Sequence, residues 1–129
     1  MELVLVPWFG KIYMPVFSLV QSMRTVTEQQ IKGIRERLVA RFRPRRIILF
    51  GSRARGTADA RSDFDLLVVC PVRRKRRAIV TAMYDALADL RIAMDLIVLT
   101  PREFELDRQI PGTIARPAWL EGRVIYERR

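Results

Sequence analysis

One hundred and twenty-nine residues, half of them hydrophobic and 29% charged, suit one compact soluble domain with a real core. The absence of histidine and the single cysteine, Cys70, exclude an internal disulfide, Cys-cluster and His-metal sites, and Ser-His-Asp, Cys-His and imidazole acid-base catalysis. The net charge of +10 comes from 21 arginines and 3 lysines against 14 acids, and it is concentrated: Met23 to Arg77 carries +11, Met1 to Ser22 zero and Ala78 to Arg129 −1. Arginine forks suit phosphate, so this segment would draw nucleotides, nucleic acid or an acidic protein, or is simply a solvated basic surface; charge alone does not choose. A lone cysteine is compatible with a reducing cytoplasm, and Cys70 reads as apolar filler.

Leu3 to Val20 is apolar but interrupted by Pro7, Gly10, Lys11 and Pro15, a poor pattern for a transmembrane helix. Glu2 stands where a signal peptide carries basic residues, and no small-residue cleavage site follows. No membrane association is expected from this pattern. Met23 opens a segment that reads as a domain by itself, so residues 1–22 are expected to be a nonessential apolar extension, as from an upstream start codon, and 23–129 the domain. A peripheral membrane or partner-binding tail is the competing reading.

Thr27 to Gln30 has the form of a capping box, and Ile31, Ile34, Leu38 and Phe42 follow on one helical face until Pro44. Arg41, Arg43, Arg45 and Arg46 surround that end, complementing the helix dipole or contacting substrate. Ile47 to Phe50 is short and bounded by turn signals, which predicts a buried strand. Gly51 ends it, and Ser52 to Gly56 is a turn or the start of a short helix whose backbone N–H groups suit an anion. Phe64 to Val69 is the next strand. Side chains alternate along it, so Asp63 and Asp65 point the same way, about 6.6 Å apart, with Leu67 and Val69, while Phe64, Leu66 and Val68 face the other side. Two carboxylates so placed can share metal ions, which would offset the penalty of seating charge on a buried face; two solvated acids at the loop's end are the plainer reading.

Arg73 to Arg77 opens a predicted helix through Leu90, with Ile79, Met83, Ala86, Leu87 and Leu90 at helical spacing. Basic residues at a helix start oppose its dipole, a local conflict read either as nucleic-acid contact or as solvated surface. Ile92 to Leu99 is a third strand, with Asp95 on the face of Ile97 and Leu99. Were it to lie beside Asp63 and Asp65, at the usual strand spacing of about 4.8 Å, three carboxylates would converge; strand order is not written in the sequence. Thr100 to Glu103 is a second capping box with Pro101 at the first helical position, opening a helix to Asp107 that Pro111-Gly112 breaks. Thr113 to Leu120 is a short helix, Gly122 ends it, and Val124 to Tyr126 is a final strand. Glu105, Asp107 and Arg108 form a solvated face.

A phosphate-suited turn, two acids in the x-Asp-x-Asp pattern, a third acid and local arginines describe metal-dependent phosphate chemistry. Two metal ions about 3.5 to 4 Å apart, held by carboxylates, activate a hydroxyl and neutralise a departing pyrophosphate. No G-x-x-x-x-G-K-[ST] loop is present, which argues against a P-loop NTPase.

Gly51-Ser52, ten residues, then Asp63-Phe64-Asp65 resembles the G-S-x10-D-x-D pattern of the DNA polymerase β-like nucleotidyltransferase superfamily. The small size, the strand Met94-Asp95-Leu96-Ile97-Val98 and the ending Glu121 to Glu127 are similar to its minimal nucleotidyltransferases, often encoded beside HEPN-domain ribonuclease toxins. The likeness covers about Thr27 to Arg129. It implies an α/β (α+β) nucleotidyltransferase fold, a small mixed sheet with helices packed against it. By that resemblance Asp63 and Asp65 would ligate two Mg²⁺ ions, and Asp95 would complete the site and help deprotonate the attacking hydroxyl. Gly51 would let the backbone approach the triphosphate, Ser52 would hydrogen-bond it, and Arg53 and Arg55 would neutralise its charge. The activity implied is transfer of AMP from ATP to a hydroxyl of a partner protein, a tyrosine of a HEPN toxin, with the chain as antitoxin. A non-catalytic antitoxin, or a nucleic-acid-binding module using Arg41 to Arg46 and Arg73 to Arg77, are the alternatives.

Overall fold

The computed structural model describes the backbone of residues 3–5, 13–55 and 63–129 and the side chains of 27–54 and 63–129. The chain divides into two compact units, Met1–Lys32 and Gly33–Arg129. In the first, β1 (Leu3–Leu5) and β2 (Tyr13–Pro15) pair antiparallel, Val4 opposite Met14. Among the described residues, no helix is long and apolar enough to cross a membrane.

Helix α1 is Val16–Phe42, so Thr27 does not start a helix as its capping-box pattern suggested. No glycine or proline lies between Val16 and Thr27, and threonine is tolerated within a helix already running. The helix does stop ahead of Pro44: Arg43 takes a left-handed φ of 48° and its N–H donates to the Val39 carbonyl, the usual way of closing a last turn.

In the second unit, β3 (Arg46–Phe50) leads through Gly51 into the one-turn α2 (Ser52–Arg55). Strand β4 (Phe64–Val69) is followed by α3 (Arg76–Leu87) and a 3₁₀ turn (Ala88–Leu90). Then come β5 (Met94–Leu99), α4 (Pro101–Asp107), α5 (Ala115–Glu121) and β6 (Arg123–Glu127). The α3 helix begins later than its basic run suggests, because Arg73, Arg74 and Lys75 remain outside it. The α4 start is as expected: Thr100 Oγ1 accepts from Glu103 N–H and Glu103 Oε1 accepts from Thr100 N–H, the reciprocal box that satisfies two otherwise unpaired donors.

The sheet order is β5-β4-β3-β6, with β3 antiparallel to both β4 and β6 and β4 parallel to β5. Parallel neighbours need a long crossover, and α3 with its 3₁₀ turn supplies it. The register sets side chains into rows across one face. Phe50, Asp65 and Asp95 form one row, Ile48, Leu67 and Ile97 the next, Arg46, Val69 and Leu99 the last. Phe104 of α4 and Ala115 and Ala118 of α5 cover the apolar part of this face. On the other face Ile47, Leu49, Phe64, Leu66, Val68, Leu96 and Val98 are buried, as are Ile34 and Leu38 of α1 and Met83 and Leu87 of α3. Gly122 sits where α5 meets β3, too close to Ala118 and Ile48 for any side chain.

The Arg46 side chain is engaged by residues of β6, α4 and α5. It pairs with Glu127 at 2.6 Å, and its guanidinium lies 5.3 Å from the Phe104 ring centre and 5.1 Å from that of Trp119. Arg108 approaches the same indole at 4.5 Å and pairs with Glu105, so a motif expected to be a solvated face helps clamp α5.

Candidate active site

The strand order places Asp95 directly beside Asp65. These two residues are register partners on neighbouring parallel strands, so both side chains leave the same face of the sheet, at the end of an otherwise apolar surface. Asp63 lies two residues earlier, just before β4, where alternation sends it toward the same side. The sheet therefore supplies what sequence could not, the placement of the third acid.

The acids do not pay the burial penalty that a seat on a buried strand face would impose. No polar or charged residue is buried among those described; Asp63 and Asp95 are exposed and Asp65 is half-buried. Desolvation of the acids is consequently slight. Asp65 and Asp95 also stand at facing positions of adjacent strands, where like charges repel. Among the described residues no three His, Cys, Asp or Glu side chains are already drawn together to hold a metal ion. The donor set nevertheless fits a hard cation: carboxylate oxygens on adjacent strands, open to solvent, are ligands of the kind Mg²⁺ takes while keeping several waters.

Gly51 is the second fixed point. Its φ is +72°, and a Cβ built there would lie 2.3 Å from Asp65 Oδ2. The chain turns from β3 into α2 with its bare backbone against the Asp65 carboxylate. Any other L-residue would meet both the left-handed backbone and that oxygen. Gly51→Ala is expected to destabilise the protein by about 1 to 2 kcal/mol, from the left-handed conformation and a forced shift of Asp65. An unchanged urea midpoint would mean that Asp65 does not lie against Gly51.

The remaining predicted residues are placed unequally. Ser52 is half-buried at the start of α2. Arg53 lies with its guanidinium 4.4 Å from the Phe64 ring centre, and Phe64 leaves the opposite face of β4 from Asp65. Arg55 belongs to α2, and its side chain lies outside the described residues, as does Gly56.

A residue that sequence reasoning missed is Tyr84 of α3. Its hydroxyl accepts the Leu96 N–H at 2.9 Å and donates to the Met94 carbonyl at 3.4 Å, gripping the backbone on both sides of Asp95. No pattern pointed to it, since Tyr84 lies beside the apolar stripe of its helix rather than in it. Cys70, by contrast, is the filler it was expected to be: it is buried at the end of β4, and burial pushes its thiol pKa up.

A family model, nucleotidyltransferase domain, matches residues 31–114. Among solved structures, one described as a toxin-antitoxin with AMP-PNP is similar with a TM-score of 0.56 and 20% identity, over 77% of this chain and 74% of that one. A proposed nucleotidyltransferase from Sulfolobus solfataricus is similar with a TM-score of 0.50 and 25% identity, over 78% of this chain and 82% of that one. No curated protein matches the sequence.

Proposed function

From the premise that this chain belongs to the nucleotidyltransferase domain family, we propose that it transfers AMP from ATP to a hydroxyl of a partner protein, in a Mg²⁺-dependent reaction. The observation that carries this is the register pairing of Asp65 with Asp95 beside the bare backbone of Gly51. Asp63, Asp65 and Asp95 would hold Mg²⁺, which when bound supplies charge neutralisation for the triphosphate and acidifies the acceptor hydroxyl. The Gly51-Ser52 turn would take the triphosphate, the glycine by allowing close approach and the serine by hydrogen bonding. Arg53, and Arg55 with it, would add positive charge, Arg53 by leaving the Phe64 ring.

The acceptor oxygen attacks the α-phosphorus, and the bond from that phosphorus to the oxygen bridging to the β-phosphate breaks. Pyrophosphate leaves, AMP stays on the acceptor, and an Asp95 carboxylate oxygen takes the hydroxyl proton. The open, solvent-facing row of acids leaves room for an acceptor carried by another protein. A toxin of the HEPN class encoded beside this chain is the partner proposed, with this chain as its antitoxin; the toxin-antitoxin neighbour supports that reading.

The test is incubation of the purified chain with α-labelled ATP, Mg²⁺ and the product of the adjacent gene. Label should pass to the partner, stop with chelator, and stop with Asp63→Asn. Neutralisation of the toxin without label, unaffected by Asp63→Asn, would replace this reading with antitoxin action by binding alone.

A further inference from the structure

A groove of about 700 Å³ lies at the end of the sheet away from the acids. Its rim carries Arg41 and Arg43 from the end of α1, Arg73 and Arg74 from the segment before α3, and Arg128 after β6. All five are exposed, no acid lines the groove, and among the described residues none of the five forms an ion pair. Four other arginines are used internally: Arg37 pairs with Asp89, Arg46 with Glu127, Arg76 with Glu103 and Arg108 with Glu105. Phe42, Pro71 and Ile79 line the groove between these arginines, Phe42 as its one aromatic ring, and the Arg41 guanidinium lies 5.7 Å from the Phe42 ring centre.

Two local conflicts meet here. Arg43 occupies a left-handed position at which glycine is the residue of least strain, so an arginine there is held against the backbone's preference. Helix α3 has no acid in its first turn and no side-chain cap from Lys75, yet basic residues crowd its positive end. An anion in the groove resolves the second conflict and gives the Arg43 side chain a use.

We propose that this groove binds a short single-stranded nucleic acid. Five arginines spaced around one aromatic ring and a few small apolar side chains match a chain that carries a phosphate at every step and a flat base between. A duplex keeps its bases stacked inward and leaves that ring unmatched. A purely acidic peptide such as polyglutamate supplies charge but no ring to lie on Phe42. The groove is separate from the transfer site: Cys70 on its lining follows the end of β4, five residues beyond Asp65, about 17 Å by strand rise. Binding here therefore stands whether or not the chain transfers AMP.

The test uses the full chain without ATP or Mg²⁺ and fluorescence anisotropy on oligo(U) and oligo(dT) of about 12 nucleotides. A hairpin duplex and a polyglutamate peptide are run beside them, at about 50 to 200 mM salt. Single strands should bind best, with a log–log salt slope no steeper than about −3.5, the limit for five phosphates. Arg73→Gln with Arg74→Gln should weaken binding about 10-fold or more at low salt and flatten the slope by about 1.4, which is about 0.7 for each phosphate left without its arginine. Arg43→Gly should weaken binding without lowering the melting temperature. Arg102→Gln, exposed on α4 outside the groove, should change neither affinity nor slope. The preference between oligo(U) and oligo(dT) assigns the strand as RNA or DNA. Tighter duplex or polyglutamate binding, an equal weakening with Arg102→Gln, or no salt-dependent binding would overturn the proposal.

Discussion

Asp95→Asn is expected to lower AMP transfer about 100-fold or more while leaving the protein as stable as before. The rate prediction follows from the proposed proton transfer: an amide neither accepts the acceptor hydroxyl's proton nor binds a hard cation well. The stability prediction follows from position. Asp95 is exposed, and exposed substitutions away from special features stay within about 0.5 kcal/mol. Removing one of two like charges at register partners favours the fold slightly if it acts at all. Label transfer and urea denaturation on the same preparation separate the two effects. Transfer within a few-fold of wild type would remove Asp95 from the chemistry, and a large fall in stability would make any lost activity uninformative.

Gly122→Ala is expected to act on the fold instead. Its φ of −77° is open to any residue, so backbone freedom is not why glycine stands there. Contact is the reason. A Cβ would lie 2.2 Å from the Ala118 carbonyl oxygen, 2.6 Å from Ile48 Cγ2 and 3.0 Å from the Leu49 carbonyl oxygen. Two of those atoms belong to backbone, held by the turn of α5 and by the central strand β3, and cannot swing aside. Relief requires α5 to move off the sheet, loosening the packing of Ala118 and Phe104 over Ile48. Overpacking of this kind destabilises by about 3 kcal/mol, a large fraction of the roughly 5 to 15 kcal/mol that holds a typical domain. For a chain of this size the melting temperature should fall by about 10 °C. A shift under about 2 °C would mean that α5 packs less closely than described.

The contrast between the two substitutions reflects how the fold could be read. Local patterns carried well: the short apolar run before Gly51, the apolar run from Phe64 to Val69 and the Thr100 box are decided by neighbours in sequence. Thr27 shows where such reading fails, since a capping pattern marks a start only when nothing helical precedes it, and α1 already runs there. Asp95 was recognisable as an acid in an apolar strand. Its nearness to Asp65 came only from a parallel pairing across the α3 crossover, a long-range choice with no local signature. The aromatic contacts of Arg46 and Arg108 were hidden for the same reason: the rings they approach come from segments distant in sequence or from a neighbouring helix. The grip of Tyr84 on β5 belongs with them.

That grip also bears on how the sheet ends. Strand β5 lies at one edge, and an unpaired edge offers its N–H and C=O groups to any extended chain that arrives. The Tyr84 phenol takes the Leu96 N–H and reaches the Met94 carbonyl, so an incoming strand would find the beginning of this edge, beside Asp95, already engaged. A chain lacking that hydroxyl, such as Tyr84→Phe, presents a ready template for strand addition beside the acids. The tyrosine thus acts as a stopper against edge-to-edge association, a duty usually given to a charge, a bulge or a proline.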